Sequence, residues 1–241
     1  MSSQNIKCFL GFPTNHINAL TTRLEAHCST MESSYCESYL AWWRGLGTLH
    51  DAVDSMLAGD SAAAAAHLTA GQRQIVACSS ALTAFGHALV GLRSDLFERG
   101  EADPAEPLLA REPFFATLDY DAVHRELAGQ GAVLPGRVFW DETVSRLREG
   151  GARGACRLLD RHLRELQSDL HLFIGEVEAA ARLPLQPMAE ALHSTSIGVG
   201  RVMTGFTRLV ITCGYVSVLC ERASQAYERS RQHEVAAVAA G

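Results

Sequence analysis

The sequence lacks several features that define common classes of protein. No window approaches the roughly 18 consecutive apolar residues that a membrane-spanning helix needs, and the nearest run, RLVITCGYVSVLC at 208–220, is shorter and flanked by charges. The first residues, with one lysine and a short apolar patch before Pro13, do not resemble a secretory signal. These absences predict a cytoplasmic protein with no membrane partner.

Paired cysteine motifs are missing as well. The chain has seven cysteines, which is an odd number, and no CxxC motif. Most of them fall inside apolar helical patterns, where reduced cysteine serves as a small core residue. The pattern does not favour a disulfide framework.

An excess of positive charge is also absent. The chain has 21 lysines and arginines against 27 aspartates and glutamates, so its net charge is -6. Nucleic acids and anionic membrane surfaces both select basic faces, because phosphate charge has to be offset. We therefore expect no nucleic-acid partner. A chain of 241 residues that is 47% hydrophobic is long and apolar enough to bury its own core.

Strand patterns do not occur, whereas helical spacing of apolar residues runs through most of the chain. Gly59 and Asp60 are expected to end a helix, and Ser61 to cap the next. That next helix, 61–100, is expected to be central because apolar and small residues cover a wide arc of it. The predicted helices cover residues 14–28, 32–58, 61–100, 120–128, 141–148, 153–182 and 203–231.

Prolines and glycines mark the predicted breaks between helices. The stretch 101–114 contains three prolines and is predicted to be a surface loop, and GQGAVLPGR at 129–137 a second loop. The tail, about 232–241, is expected to fray. The fold class predicted for 1–241 is therefore an all-α, single-domain helical bundle with two irregular loops rich in proline and glycine.

Most motifs that carry chemistry are absent. The sequence contains no phosphate-binding loop and no nucleophile elbow. One ExxH pair, Glu190 with His193, matches half of a di-iron site, and the second copy is missing. His27 and Cys28 with Cys36 only weakly imitate a zinc site. A non-haem di-iron oxidase stays an alternative.

The histidines leave two interpretations open. His171 lies in LRELQSDLHLFIGEVEAA (163–180), among apolar neighbours. The apolar spacing of this helix places His162 nearer the centre of its apolar face, whereas Leu172 makes the turn at 170–174 apolar on all sides. Either histidine is a hydrogen-bonded core residue, or it is the axial ligand of a haem, for which one neutral imidazole suffices.

Three stretches together resemble a known family. They are SSYCESYLAWWRGLGTLHDAVDSM (33–56), RQIVACSSALTAFGHALVGLRSDLFERG (73–100) and RLLDRHLRELQSDLHLFIGEVEAA (157–180). In their order and pattern they resemble the histidine-ligated haem-dependent aromatic oxygenases, the superfamily of tryptophan 2,3-dioxygenase. The resemblance implies haem b as cofactor and His171 as the axial ligand of its iron. Cys36 stands near the place of that family's distal histidine.

The resemblance also implies a substrate site. Arg93 would bind the substrate carboxylate, with Arg99 as its rival. Thr195, in the polar segment STSIGVG, would contact the ammonium group from a loop. Tyr39 and Trp43 would line an aromatic pocket.

The function implied by the resemblance is that of a haem-dependent oxygenase. Its substrate would be an aromatic amino acid of tryptophan or tyrosine type, or a close derivative, in a natural-product pathway. Its oxidant would be O₂ or peroxide, and the reaction a dioxygenation or a hydroxylation. The alternative is a non-enzymatic helical scaffold or interaction protein. A homo-oligomer is compatible with either.

Overall fold

The computed structural model describes residues 19–97, 111–129 and 137–240. Helices make up 94% of these residues, and no strand occurs among them, so the predicted all-α class is confirmed. The helices of the described residues are α1 Ala19–Leu57, α2 Ser61–Phe97, α3 Glu112–Phe115, α4 Tyr120–Gly129, α5 Arg137–Ala181, α6 Leu185–Ser194 and α7 Ser196–Ala240.

Helix α1 is continuous where the sequence predicted two helices. The expected break between 28 and 32 is wrong, because the helix runs without interruption through CSTMESS. Cys28 and Met31 are both buried there, so the apolar spacing continues across the polar cluster. Hydroxyl side chains are accommodated by bonding to the preceding turn, as Ser38 Oγ does to the carbonyl of Tyr35 at 2.8 Å.

The turn between α1 and α2 is capped one residue earlier than predicted. Asp60 Oδ1 accepts a hydrogen bond from the backbone N–H of Ala63 at 2.9 Å, so Asp60 is the N-cap and Ser61 the first helical residue. A Cβ on Gly71 would lie 2.8 Å from Cδ2 of Leu49. Because Gly71 has no side chain, Leu49 of α1 packs directly against the backbone of α2.

One face of helix α2 is exposed to solvent, so α2 is not the central helix that its composition suggested. Val76 and Val90 are exposed.

Segments Ser61–Ser94 and Leu185–Val238 are long and apolar enough to cross a membrane, with 39% and 61% of their most apolar windows buried. The expectation that no window reaches spanning length is therefore wrong. Length and composition alone are weak evidence for a membrane location, since core helices pass the same test.

Helix α5 contains a kink. Gly151 has φ 52° and ψ -141°, outside the helical region, and only glycine adopts such a conformation without strain. The helix end predicted at Gly150 and Gly151 is thus confirmed. The first segment begins at Arg137, earlier than the predicted 141.

The C-terminal third contains more helix than predicted. The segment 194–200 is not a loop, because α6 ends at Ser194 and α7 begins at Ser196. Gly198 packs against Phe173 of α5, where a Cβ would lie 2.7 Å from the ring, so this glycine serves packing rather than a turn. Helix α7 continues to Ala240, beyond the predicted end at 231.

The chain divides into two compact units. Unit 1 comprises Met1–Ser29, Leu92–Leu163 and Thr207–Gly241, and unit 2 comprises Thr30–Gly91 and Arg164–Phe206. Residues 101–110 and 130–136, which make up most of the two predicted loops, lie outside the described residues. The segment Glu112–Phe115 is a helical turn rather than a loop. None of the six cysteines in the described parts forms a disulfide. The single domain stays a prediction.

Candidate functional site

Three large side chains project from α1 into solvent. Tyr39, Leu40 and Trp43 are 41%, 47% and 60% exposed. We call these three residues the aromatic face. They lie within two helical turns on the side of α1 opposite its buried residues. Exposed apolar clusters that contain aromatic rings mark binding surfaces more often than single exposed residues do.

Trp42 fixes the base of this face. It is buried, and its Nε1 donates a hydrogen bond to Oγ1 of Thr195 at 2.8 Å. The Thr195 hydroxyl donates in turn to the carbonyl of Leu192 at 2.7 Å. Thr195 is therefore both the C-cap of α6 and the acceptor that satisfies the indole of α1.

A chain of rings connects the exposed face to the core of unit 2. Ring centroids are 6.2 Å apart for Tyr39 and Trp42 and 6.1 Å apart for Trp42 and Trp43. Tyr35 lies 6.4 Å from Tyr39 and 6.3 Å from Phe206 of α7. Such spacings are typical of interacting aromatic pairs, so Tyr39 and Trp43 pack on a layer of aromatic rings.

Acidic residues flank the aromatic face along α1. Glu32 and Glu37 precede it, Asp51 and Asp54 follow it, and Arg44 is the basic residue between them. Burial raises the pKa of Glu32 from its ordinary value. The other three carboxylates are exposed. The face is thus an apolar patch with an acidic border on both sides.

Burial also raises the pKa values of two groups next to the aromatic face, Tyr35 and Cys36. It raises the pKa of Tyr35 to about 12, with further contributions from Tyr39 and Cys36. The pKa of Cys36 is raised by burial and by the nearby Glu32 carboxylate. Cys36 is therefore a protonated thiol near neutral pH rather than a reactive thiolate.

The structure brings together three of the predicted substrate residues. Tyr39 and Trp43 both contact the ring of Trp42, which is bonded to Thr195. Thr195 itself is buried and lies at a helix end rather than on a loop. Arg93 belongs to unit 1, where its Nε donates to Oδ1 of Asp160 at 3.3 Å. The rival, Arg99, lies outside the described residues.

The structure places His162 in the interior and His171, the axial ligand implied by the family resemblance, on the surface. His171 is exposed, and its neighbour Leu172 is 55% exposed, so the turn at 170–174 is not buried on all sides. His162 is 1% exposed. Its Nδ1 lies 3.2 Å from Oγ1 of Thr212, and its Nε2 lies 3.8 Å from Oε2 of Glu142. His162 is therefore the inward histidine, as the apolar spacing indicated.

The surroundings of His171 do not fit a haem. A proximal histidine needs a dry pocket on its side of the iron and an acceptor for its second ring nitrogen, whereas His171 faces solvent. Haem binding stays a prediction. Within the described ranges, no three histidine, cysteine, aspartate or glutamate side chains form a group that would hold a metal ion, which gives the di-iron alternative no support.

No family model matches the chain, and no curated protein or solved structure matches it either.

The sequence reasoning missed Leu40, which completes the aromatic face, and the bond between Trp42 and Thr195. The spacing of Tyr39, Leu40 and Trp43 opposite the stripe of Ser38, Leu49 and Ala52 is the signal that identifies the face.

Proposed function

We propose that this chain is a helical interaction protein that binds a basic amphipathic helix of a partner protein along α1. The observation that carries the proposal is the exposure of Trp43, which leaves more than half of a large aromatic side chain in water beside Tyr39 and Leu40. Tryptophan and tyrosine contribute most of the binding energy in many interfaces, so their exposure above the buried ring of Trp42 favours a docking surface.

The shape of the surface supports a helical partner. Glu32, Cys36, Tyr39, Trp43 and Asp54 follow one another at helical spacings and form one stripe on α1. The stripe from Glu32 to Asp54 is about 33 Å long at 1.5 Å per residue. A partner helix of about 20 residues would cover it, in the manner of an amphipathic helix laid against an apolar surface.

The charge of the surface supports a basic partner. Acidic side chains lie at both ends of the apolar patch, and the whole chain carries a net charge of -6. Opposite charges at the rim of an interface steer association and set the register of the two helices. We therefore expect the partner helix to carry lysine or arginine near each end and apolar residues between.

A designed peptide tests the proposal. The probe is a peptide of about 20 leucine and lysine residues, ordered so that the leucines form one helical face, and the control is its scrambled order. We expect saturable binding of the amphipathic peptide by calorimetry, weakened about tenfold or more by Trp43→Ala, as for a residue central to an interface.

Val138→Ala is the matched variant, because Val138 is also a large exposed apolar residue but lies in unit 1. It should change the affinity less than twofold. Equal binding of the scrambled peptide, or equal effects of the two variants, would contradict the proposal.

The haem-dependent oxygenase is a second proposal, and the exposed rings of Tyr39 and Trp43, one helical turn apart on α1, favour an aromatic ligand at that place. An absorption spectrum of the chain mixed with haem tests it. A Soret band that changes in the His171→Ala variant supports an axial role for His171, and an unchanged spectrum contradicts that role.

A further inference from the structure

A cleft rich in arginine lies at the kink of α5 in unit 1. It has a volume of about 240 Å³, and its walls are formed by Arg146, Glu149, Gly154, Arg157, Leu158 and Arg161. Three guanidinium groups and one carboxylate thus surround a space that is open to solvent on one side. No sequence motif pointed to this cleft.

The glycines of the kink create the cleft. The positive φ of Gly151 turns the chain between the two segments of α5. A Cβ on Gly154 would overlap with the carbonyl oxygen of Arg146, so the two segments meet backbone to backbone. A Cβ on Gly150 would lie 2.6 Å from Nη2 of Arg157. The Arg157 guanidinium therefore lies over the bare backbone of Gly150, close to the segment that carries Arg146.

The local charge of this region is opposite to that of the whole chain. Residues 146–164 contain six arginines, of the 21 basic residues in the chain, and two acidic residues. The chain as a whole carries a net charge of -6. A basic segment folded around a cleft in an acidic protein is the charge distribution expected of an anion site.

The three arginines of the cleft differ in their partners. Arg161 is bound to Glu142, and Arg146 Nη1 donates to Oε2 of Glu149 at 3.1 Å. The pair of Arg146 and Glu149 is exposed, and pairs of that kind contribute little to stability. Arg157 makes no hydrogen bond or ion pair with any described residue. Its planar fork of donors is thus available to a ligand.

We propose that this cleft binds the phosphate group of a small phosphorylated molecule, with Arg157 as the principal donor. Arginine forks match the oxygen atoms of phosphate and donate two parallel hydrogen bonds. The cleft is smaller than the roughly 300 Å³ at which sites for whole drug-sized ligands begin, so it suits a phosphate group rather than a larger molecule. A phosphate monoester carries nearly two negative charges at neutral pH, and Arg157 is the guanidinium of the cleft whose charge is offset by no carboxylate among the described residues.

Calorimetric titration with inorganic phosphate tests the site. We expect saturable binding that becomes weaker as salt is added and that is stronger than any binding of chloride at the same ionic strength. Arg157→Gln should weaken the phosphate affinity about tenfold or more, the loss expected for a charge-assisted bidentate pair. Because Arg157 bonds to no described residue, this variant should keep the unfolding midpoint of the parent chain.

Arg153→Gln is the matched control, because Arg153 is exposed on the same helix and does not line the cleft. It should leave the affinity within about twofold of the parent value. Arg157→Lys keeps the charge and loses the fork, and it should still weaken binding. Binding no tighter than that of chloride, equal losses in Arg157→Gln and Arg153→Gln, or full affinity in Arg157→Lys would overturn the site. A failure here leaves the peptide-binding proposal intact, since that rests on unit 2.

Discussion

Trp42 and Thr195 are joined by a buried hydrogen bond of 2.8 Å although 153 residues separate them in the sequence. The bond satisfies the indole N–H of α1 with a hydroxyl at the end of α6. Both residues belong to unit 2. This contact fixes the ring on which Tyr39 and Trp43 pack.

Thr195→Val tests the importance of that bond. Valine has nearly the same shape, but it leaves the indole N–H buried without an acceptor, which costs about 1–3 kcal/mol. We expect the free energy of unfolding in urea to fall by that amount and the tryptophan fluorescence of the native state to change. Thr204→Val, at an exposed position of α7, should change stability by less than about 0.5 kcal/mol. Equal effects of the two variants would contradict the assignment.

His162 and His171 form a second matched pair on one helix. His162→Ala removes a buried ring that contacts Thr212 and Glu142, and we expect it to lower the free energy of unfolding by about 2–3 kcal/mol. His171→Ala removes an exposed ring and should stay within about 0.5 kcal/mol of the parent chain. A larger loss from His171→Ala would show that His171 is buried in solution.

The backbone conformation at Gly151 requires glycine, whereas Gly175 is an ordinary helical glycine. The two positions should therefore respond differently to substitution by alanine. Gly151→Ala places a side chain at φ 52° and should cost about 1–3 kcal/mol in backbone strain. A Cβ on Gly175 would meet nothing within 4 Å, so Gly175→Ala should stabilise the helix by about 0.5–1 kcal/mol. Thermal unfolding followed by circular dichroism measures both effects, and a stabilising Gly151→Ala would rule out the kink.

The raised pKa of Tyr35 predicts that the chain loses stability in alkaline solution. Its pKa is raised to about 12 in the folded chain by burial, whereas an unfolded tyrosine has a pKa near 10. The unfolded state therefore loses this proton first, so the contribution is present below about pH 10 and is lost as the pH rises towards 12. Tyr35→Phe should reduce the fall in urea midpoint between pH 9.5 and 11.5, about the range of this titration.

The same variant has a second expected effect at neutral pH. The hydroxyl of Tyr35 is buried and has no hydrogen-bond partner among the described residues. Its removal should leave stability unchanged or raise it by up to about 1 kcal/mol. A clear destabilisation would show that the hydroxyl is bonded in solution.

Local signals in the sequence predicted the helical class, the break at Gly151 and the inward side of His162. Each depends on apolar spacing or on the conformational range of glycine within a few residues. The continuity of α1 through its serine cluster and the helix at 194–200 were not predicted. Polar and glycine residues often interrupt helices, but here Met31 is buried and Gly198 packs against Phe173 of α5. The bond between Trp42 and Thr195 and the arginine cleft depend on tertiary contacts, which no local pattern contains.

The contact between Gly71 and Leu49 fixes the alignment of α1 with α2. Leu49 packs against α2 at Gly71, where the missing side chain leaves room. A residue inserted within either helix would rotate everything beyond it by about 100° and move Leu49 away from that place. A residue inserted between the two helices, at Gly59, would lengthen the connection at small entropic cost. We therefore expect α1 and α2 to tolerate added length in the connection between them and not within either helix.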